Sequence, residues 1–262
     1  MPLLRAKISI NTLVLPTSMP EWIHNAAVYE SSGESGAQTV FIDARDGFYL
    51  KIAGKGQLQK ASQMQHYLAD KGLSAPVCLY LSEDRDYMLT KALAGNDGTF
   101  QGHLAEPARL SEAFGQALRH LHEMDFTDCP VQHALSWLLT VSKDTAFRQS
   151  HLDILSNYVG NTEAANAGTE IEAKKHILQN DVLLHGDYCL PNILLNDWHF
   201  SGFIDVAEGG VGDRHYDLAW GLWTLCRNLK TPAYGQRFLD AYGRDWLDEE
   251  RLRVCALLAA LD

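Results

Sequence analysis

The stretch "LLHGDYCLPNILL", residues 183–195, has apolar ends and a polar centre. Short apolar runs rich in branched side chains are typical of buried strands, so the polar centre is predicted to form the turn between two strands. That turn holds His185, Asp187 and Asn192. Asp and Asn side chains can serve only to stabilise such a turn by hydrogen bonds to its backbone. A carboxylate and an amide on one short loop also suit a reactive site. The surrounding sequence helps to decide between a structural turn and a reactive site.

A second acid follows in "FSGFIDVAEGG", residues 200–210, where Asp205 comes directly after apolar residues. Carboxylate and Asn side-chain oxygens are hard ligands that suit Mg²⁺. A carboxylate outside the metal shell can orient a hydroxyl and take its proton. Asp187, Asn192 and Asp205 together therefore point to phosphoryl transfer.

The bulk properties limit the possible partners. The chain has 262 residues, 46% of them hydrophobic, and a formal net charge of −11. This composition can build a core, and the charge disfavours nucleic acid or an anionic membrane as partner while mildly favouring a cationic ligand. No apolar run reaches the ~18 residues of a membrane span, and the N-terminus lacks a signal-like apolar centre, so a cytoplasmic protein is expected. The five cysteines are widely spaced without a CxxC pair, and we expect them to be reduced.

The chain changes character near residue 93. Before it, "AAVYES", "QTVFIDA" and "FYLKIA" indicate consecutive antiparallel strands, followed by one helix in 58–72 and a hairpin of 77–81 and 87–90. After it, helical periodicity dominates, and "GNTEAANAG" is interpreted as a loose insert. The prediction is an α+β fold with a small antiparallel β lobe, residues 1–93, a larger helical lobe, residues 94–262, and a polar cleft between them.

The β lobe offers candidates for a nucleotide site. In "FYLKIA" the two-residue period of a strand places Tyr49 and Lys51 on one face, where the lysine can bind phosphates and the ring can cover adenine. The ordinary alternatives are a solvated lysine and a core tyrosine. Upstream, "SGESGA" supplies backbone amides and the Ser35 hydroxyl for phosphates. The chain contains no GxxxxGK[ST] loop.

Four segments resemble the aminoglycoside 3'-phosphotransferases, which are protein-kinase-like antibiotic kinases: "HGDYCLPN", "GFIDVAEGGVGDRHYDLA", "LRHLHEMDFTDCPV" and "RLRVCALLAALD". The resemblance implies a bilobal protein-kinase-like fold with ATP and Mg²⁺ as cofactors. It makes Asp187 the catalytic base and Asn192 and Asp205 the metal ligands, and it has His185 and Asp217 brace the catalytic loop. It also assigns nucleotide contacts, with Lys51 on phosphates, Tyr49 on adenine, Gly33, Ser35 and Ala37 in the phosphate loop, and the Thr90 carbonyl and Ala92 amide at the adenine edge.

Three departures from the family pattern stand out. The glutamate expected to pair with Lys51 aligns with Ala61, and the Gly-Arg expected after Asp205 is Ala207-Glu208. The acceptor side is poor in acids, because only Asp153, Glu163 and Asp262 remain to hold a polycation.

The leading hypothesis is an ATP- and Mg²⁺-dependent O-phosphotransferase acting on a small hydroxylated, cationic molecule, first of all the 3'-hydroxyl of an aminoglycoside. One alternative keeps the chemistry and changes the acceptor to another hydroxylated metabolite. Another is a nucleotide-binding module that has lost phosphotransfer. The sequence leaves open whether the protein is a monomer or a dimer.

Overall fold

The computed structural model describes residues 6–31, 37–142 and 144–261. The chain divides into two compact units: Met1–Asn96 together with Ser201–Ala207, and Asp97–Phe200 together with Glu208–Asp262. The first unit thus includes the short segment Ser201–Ala207, which lies more than a hundred residues further along the chain than the rest of that unit. The assignment of nucleotide binding to one unit and acceptor binding to the other stays a prediction.

The first unit is built on a six-stranded sheet of order β1-β2-β3-β4-β6-β5 in which neighbouring strands are antiparallel. The strands and the helix predicted for this region are confirmed, and two further elements, β1 and α1, are added. The elements are β1 Lys7–Ile8, α1 Glu21–His24, β2 Ala27–Ser31, β3 Gln38–Asp43, β4 Phe48–Gly54, α2 Gln59–Asp70, β5 Val77–Leu81 and β6 Arg85–Lys91.

The two faces of this sheet differ in chemistry because strand side chains alternate. Val40, Ile42 and Leu50 point to one face and are fully buried in the unit's core. Burial of each such side chain stabilises the fold by roughly 1.5–3 kcal/mol. Tyr49 and Lys51 lie on the opposite face, as the two-residue period predicts.

The second unit is mainly helical. Its amphipathic helix α4, of 16 residues, buries the four positions that the helical spacing predicts: Leu110, Phe114, Leu118 and Leu121. Strands β8 and β11 pair antiparallel, with Leu183 opposite Val211. The remaining elements in chain order are β7 Asn96–Asp97, α3 Gln101–Leu104, α4 Pro107–His122, α5 Ser136–Val141, α6 Gln149–Val159, α7 Ala164–Lys174, β8 Val182–Leu184, β9 Ile193–Asn196, β10 His199–Phe203, β11 Gly210–Gly212, α8 Arg214–Leu229, α9 Gly235–Tyr242 and α10 Glu249–Leu258.

The segment before β8 differs from expectation. Residues 164–168, interpreted from sequence as part of a loose insert, form the start of α7, and α6 precedes them without having been predicted. Helix α6 buries only His151, Leu152 and Leu155, and its Ser, His, Asp and Asn residues have low helix propensity. Its pattern is therefore too weak to detect in the sequence.

All five cysteines are free, in agreement with the expected reduced state. None of the described helices combines the length and the apolar character that crossing a membrane requires.

Candidate functional site

The loop between β8 and β9 carries the predicted catalytic residues. β8 is buried along its whole length, and the loop closes through a 3-10 turn, Leu190–Asn192, that has Pro191 near its start. Proline fits there because its fixed φ suits the first turn and its missing N–H costs no bond. The predicted arrangement, a polar turn between two short apolar strands, is confirmed.

Asp187 and Asn192 meet across this loop. The Nδ2 group of Asn192 donates to the backbone oxygen of Asp187 at 2.9 Å and to its Oδ2 at 2.8 Å. The amide therefore fixes the orientation of the carboxylate, and its nitrogen is fully used. The Asn192 oxygen takes no part in these two bonds and is the side-chain atom suited to a ligand.

Asp217 holds the start of the loop from α8. Its fully buried carboxylate accepts hydrogen bonds from the backbone N–H groups of His185 at 2.7 Å and Gly186 at 2.9 Å. Bonds to a charged acceptor are stronger than neutral ones. This is the bracing role that the resemblance implies for Asp217.

A third group bonded to the Asp217 carboxylate is His122 of α4, whose Nε2 lies 3.2 Å from Oδ2. Its other ring nitrogen, Nδ1, lies 2.9 Å from the Tyr242 hydroxyl. Burial lowers the pKa of His122, even though the hydrogen bond to Asp217 acts to raise it. With its proton on Nε2, the neutral ring donates to Asp217 and accepts a hydrogen bond from the Tyr242 hydroxyl at Nδ1.

Gly186 is required at its position in the loop. Its φ is +85°, and an added Cβ would lie 2.1 Å from the backbone oxygen of Glu208. Both the left-handed backbone and the close approach exclude a side chain. The glycine thus allows the chain after Asp205 to pack directly against the catalytic loop.

Lys51 and Asp205 form an ion pair inside the first unit, with Nζ 2.8 Å from Oδ1. The lysine side chain is 16% exposed and the aspartate 50% exposed. Asp205 has a φ of +57°, an uncommon conformation for a residue with a side chain. The structure therefore brings together two residues that the sequence assigns to phosphate and metal binding.

The segment that carries Asp205 is anchored to the chain between α2 and β5 of the first unit. The N–H of Phe203 donates to the Leu73 oxygen at 2.8 Å, and the Ser74 hydroxyl donates to the Phe203 oxygen at 2.5 Å. Gln65 of α2 donates in turn to the Ser74 hydroxyl at 2.7 Å. These contacts fix the backbone two residues before Asp205.

The missing glutamate of α2 leaves a different partner for Lys51. Ala61, which aligns with that glutamate, is a buried side chain without charge. Asp205 supplies the carboxylate instead. The lysine is thus held at low exposure by the residue that is also the expected metal ligand.

The predicted nucleotide contacts fall in two groups. Tyr49 and Thr90 are cross-strand partners on β4 and β6, so their side chains are neighbours on one face. The Ala92 N–H donates to the Gly47 oxygen at 2.9 Å, and an adenine edge would have to compete with that bond. Gly33 and Ser35 lie outside the described residues.

Two of the predicted acceptor residues, Asp153 and Glu163, lie on either side of Gln149, whose side-chain oxygen accepts a hydrogen bond from the N–H of Ala164, the residue after Glu163. Asp153 is exposed on α6 and accepts a hydrogen bond from Gln149 at 2.8 Å, and Glu163 is exposed just before α7. Asp262 lies outside the described residues. Neither Asp153 nor Glu163 lines the cavity of about 870 Å³ between α7 and the chain after α5, and Glu172 is the one carboxylate among its described lining residues.

Comparison with known proteins settles the family. The sequence profile of the phosphotransferase enzyme family matches residues 31–255. A probable aminoglycoside 3'-phosphotransferase of Lactococcus lactis is 43% identical over 250 residues, which cover 95% of each chain. The chain belongs to the phosphotransferase enzyme family. An aminoglycoside 3'-phosphotransferase of Niallia circulans is 32% identical over 188 residues, covering 70% of this chain and 71% of the relative.

Solved structures of family members share the fold. An aminoglycoside 3'-phosphotransferase of type VIII superposes with a TM-score of 0.68 at 23% identity, over 87% of this chain and 90% of the other. An aminoglycoside phosphotransferase of Streptomyces rimosus, solved with ADP and streptomycin, gives 0.62 at 22% identity, over 87% and 92% of the two chains. The predicted bilobal, kinase-like α+β fold is thereby confirmed.

Asn192 and Asp205, the predicted metal ligands, each carry an oxygen of the kind that Mg²⁺ prefers. Among the described residues, no group of three or more His, Cys, Asp or Glu side chains could hold a metal. Mg²⁺ in phosphotransferases is commonly held by one or two protein oxygens together with phosphates and water. The Asn192 oxygen in the second unit and the half-exposed Asp205 carboxylate in the first unit are each a donor of this chemical type.

Sequence reasoning missed several residues that position this site. His122 and Tyr242 support Asp217, while Ser74 and Gln65 anchor the Asp205 segment. No acid lies at ligand spacing from His122 in the sequence, so its support of Asp217 is not predicted. Its partner, Asp217, is 95 residues away along the chain. The position of His122 four residues after Leu118, on the buried stripe of α4, is the signal that the sequence offers.

Proposed function

We propose that this phosphotransferase is an ATP- and Mg²⁺-dependent kinase that phosphorylates a hydroxyl of a small molecule, with the 3'-hydroxyl of an aminoglycoside as the first candidate. The observation that carries the proposal is the orientation of Asp187 by Asn192 on a loop braced by Asp217. The relatives named aminoglycoside 3'-phosphotransferase support this acceptor. Turnover of an aminoglycoside would inactivate the drug and protect the cell.

Asp187 is the proposed base. Its carboxylate accepts a hydrogen bond from the acceptor hydroxyl and takes the proton as the hydroxyl oxygen bonds to the γ-phosphorus. The bond from that phosphorus to the bridging oxygen of ADP breaks, and ADP leaves. Asn192 keeps the carboxylate in place during this transfer because it donates to Oδ2.

Lys51 and the magnesium ion bound by Asn192 and Asp205 would offset the negative charge of the nucleotide phosphates. Lys51 binds phosphate oxygens, and Asn192 and Asp205 supply oxygens to Mg²⁺, which when bound neutralises phosphate charge. Lys51 and Asp205 would give up their ion pair in favour of these contacts. Tyr49 stacks on adenine, while Thr90, Ala92 and Ser35 contribute the remaining nucleotide contacts of the proposal.

We expect the protein to act in the cytoplasm, where ATP is available, without nucleic acid or membrane as partner. Acceptor binding would include Asp153, Glu163 and Asp262, and the oligomeric state can be a monomer or a dimer.

The test replaces Asp187 by Ala and by Asn. Coupled ADP detection with ATP, Mg²⁺ and an aminoglycoside panel should show kcat at least about 1,000-fold lower in both variants, because both remove the proton acceptor. A thermal shift with ATP and Mg²⁺ should remain within about 2 °C of the native shift. Asp128→Asn, at an exposed site of the same unit, is the matched control. Equal loss of nucleotide binding and turnover would mean that Asp187 has a structural role.

A second candidate keeps the chemistry and changes the acceptor to another hydroxylated metabolite. It is favoured by the few acids at the predicted acceptor positions, of which Asp153 is already hydrogen-bonded. ADP release stimulated by a sugar or amino alcohol and by none of the aminoglycosides would select this candidate.

A third candidate is a nucleotide-binding module without phosphotransfer, motivated by Ala61 and Glu208. Stabilisation by ATP and Mg²⁺, without phosphate transfer to any acceptor, would select it.

A further inference from the structure

Helix α8 contacts the catalytic loop at a second point, two turns beyond Asp217. Thr224 follows Asp217 by seven residues, so the two side chains lie on the same face of the helix, about 10 Å apart along its axis. Both side chains are buried. The backbone N–H of Leu190 donates to the Thr224 hydroxyl oxygen at 3.2 Å. One face of α8 therefore holds the loop on both sides of Asp187.

The second contact fixes the part of the loop that carries Asn192. Leu190 is the first residue of the 3-10 turn Leu190–Asn192, and the Asn192 N–H donates to the Cys189 oxygen at 2.9 Å. The Cys189 N–H donates in turn to the Asp187 oxygen at 2.8 Å. The bond from Leu190 to Thr224 thus anchors a tight turn whose last residue orients the Asp187 carboxylate.

The hydrogen-bonding capacity of the Thr224 hydroxyl is fully used. A hydroxyl accepts two hydrogen bonds and donates one. The Thr224 oxygen accepts from the Leu190 N–H and, at 3.2 Å, from the Nδ2 group of Asn228, one turn further along α8. Asn228 is itself held by the backbone oxygen of Thr224 at 2.8 Å. The two N–H donors leave the hydroxyl proton for an acceptor, and the Cys189 sulfur takes this hydrogen bond.

The Cys189 thiol links the Thr224 hydroxyl to the proposed base. Burial raises the pKa of the Cys189 thiol well above its usual range, and the charge of Asp187 and a hydrogen bond to its carboxylate raise it further. The hydrogen bond from Thr224 acts in the opposite direction. The thiol therefore keeps its proton and donates a hydrogen bond to the carboxylate, which is stronger than a neutral one because the acceptor is charged.

We propose that the Thr224 hydroxyl and the Cys189 thiol position the carboxylate of Asp187 for proton transfer. Thr224 fixes the turn that carries Asn192, and the carboxylate is then held by two donors, the Asn192 amide and the Cys189 thiol. The inference rests on the proposed phosphotransfer function. It adds two positioning residues that act on kcat through Asp187 without contacting the substrate.

The first test separates the hydroxyl of Thr224 from its bulk, with kanamycin as acceptor. Thr224→Val keeps the shape and removes the hydroxyl, so kcat should fall at least about ten-fold while the KM values for ATP and kanamycin stay within about three-fold. Thr224→Ser keeps the hydroxyl and removes a methyl group, so its kcat should stay within about three-fold of the native value. Thr140→Val, which removes an exposed hydroxyl from α5, is the matched control. A native kcat in Thr224→Val, or a larger loss in Thr224→Ser than in Thr224→Val, would mean that residue 224 acts by packing alone and would overturn the inference.

A second set of variants tests the thiol. Cys189→Ala removes the donor and should lower kcat at least about three-fold at an unchanged KM for ATP. Cys189→Ser keeps a donor, and its kcat should lie between those of Cys189→Ala and the native protein. Cys226→Ala, which removes a partly buried thiol from α8, should leave kcat unchanged. If Cys189→Ala kept the native kcat, the thiol would have no positioning role.

Two measurements without turnover distinguish this inference from the proposed function. The Leu190 amide should exchange its hydrogen at least about ten-fold faster in Thr224→Val than in the native protein, because its acceptor is lost. The infrared S–H band of Cys189, identified by its loss in Cys189→Ala, should shift to higher frequency in Asp187→Ala because the thiol loses its acceptor. An unchanged Leu190 exchange rate or an unchanged S–H band would overturn the inference even in an active enzyme. A native protein that transfers no phosphate but shows both changes would contradict the proposed function and support the positioning contacts.

Discussion

Replacing Asp217 by Asn should destabilise the protein and misplace the catalytic loop together. The carboxylate serves three groups: Oδ2 bonds His185 N–H and His122 Nε2, and Oδ1 bonds Gly186 N–H. Asn has one oxygen and one NH₂ group, so at least one of these buried donors would face another donor. The change therefore removes a charge-assisted bond and leaves an N–H unpaired.

The expected cost follows from these two effects. A hydrogen bond to a charged group contributes roughly 1.5–3 kcal/mol, and a buried donor left without a partner costs about 1–3 kcal/mol. The two estimates overlap because they describe the same donor, so we expect the free energy of unfolding to fall by about 2–4 kcal/mol. A shift of the loop by about 1 Å can lower kcat about 100-fold.

Urea denaturation followed by circular dichroism measures the stability, and coupled ADP release measures kcat. Asp128→Asn makes the same change at an exposed position and should alter the free energy of unfolding by less than about 0.5 kcal/mol. If Asp217→Asn matched this control in both measurements, the bracing of the loop by Asp217 would be refuted.

Three further changes test other parts of the site. Gly186→Ala should lower kcat more than about 100-fold in the ADP assay, because the added Cβ would lie 2.1 Å from a backbone oxygen. Gly56→Ala is the control: Gly56 has a similar φ of +83° and open space around it, so this change should lower only the free energy of unfolding, by the ~1–2 kcal/mol that a left-handed backbone costs. Because burial lowers the pKa of His122, the unfolded chain takes up a proton at this residue before the folded chain does. The melting temperature should therefore fall as the pH drops below about 6.5, the ordinary pKa of histidine. In His122→Gln the melting temperature should depend less steeply on pH, and an equal pH dependence in the two proteins would contradict a neutral His122 ring. Lys51→Met should abolish detectable turnover but change stability by less than about 1 kcal/mol, because its partner is half exposed; Lys55→Met, at an exposed position, should leave both kcat and the urea midpoint unchanged.

The sequence was sufficient where one short pattern determines local structure. The alternation in "FYLKIA" placed Tyr49 and Lys51 on one face, and the polar turn of 183–195 placed Asp187 close to Asn192. Both depend on residues close together in the chain. Strand periodicity and turn chemistry act over that range.

Contacts between distant segments could not be predicted from a single sequence. Lys51 and Asp205 are 154 residues apart, and the Ser74 bond to Phe203 spans 129 residues. Helix α6 was missed for a different reason, since few of its residues are buried and its helix propensity is low. Ala61 correctly indicated that Lys51 lacks its usual glutamate partner on α2. That Asp205 pairs with Lys51 instead could be seen only in the folded structure.

Because residues 201–207 belong to the first unit, they limit how genes of this family can recombine. A genetic crossover near codon 97 between two related genes would join the amino-terminal stretch of one parent to the Asp205 segment of the other. The hybrid would then have to form two contacts between segments of different parents: the hydrogen bond from the Ser74 hydroxyl to the backbone oxygen of residue 203, and the ion pair between Lys51 and Asp205. Viable chimeras should therefore keep codons 51, 74 and 201–207 from a single parent, even though half of the reading frame separates them.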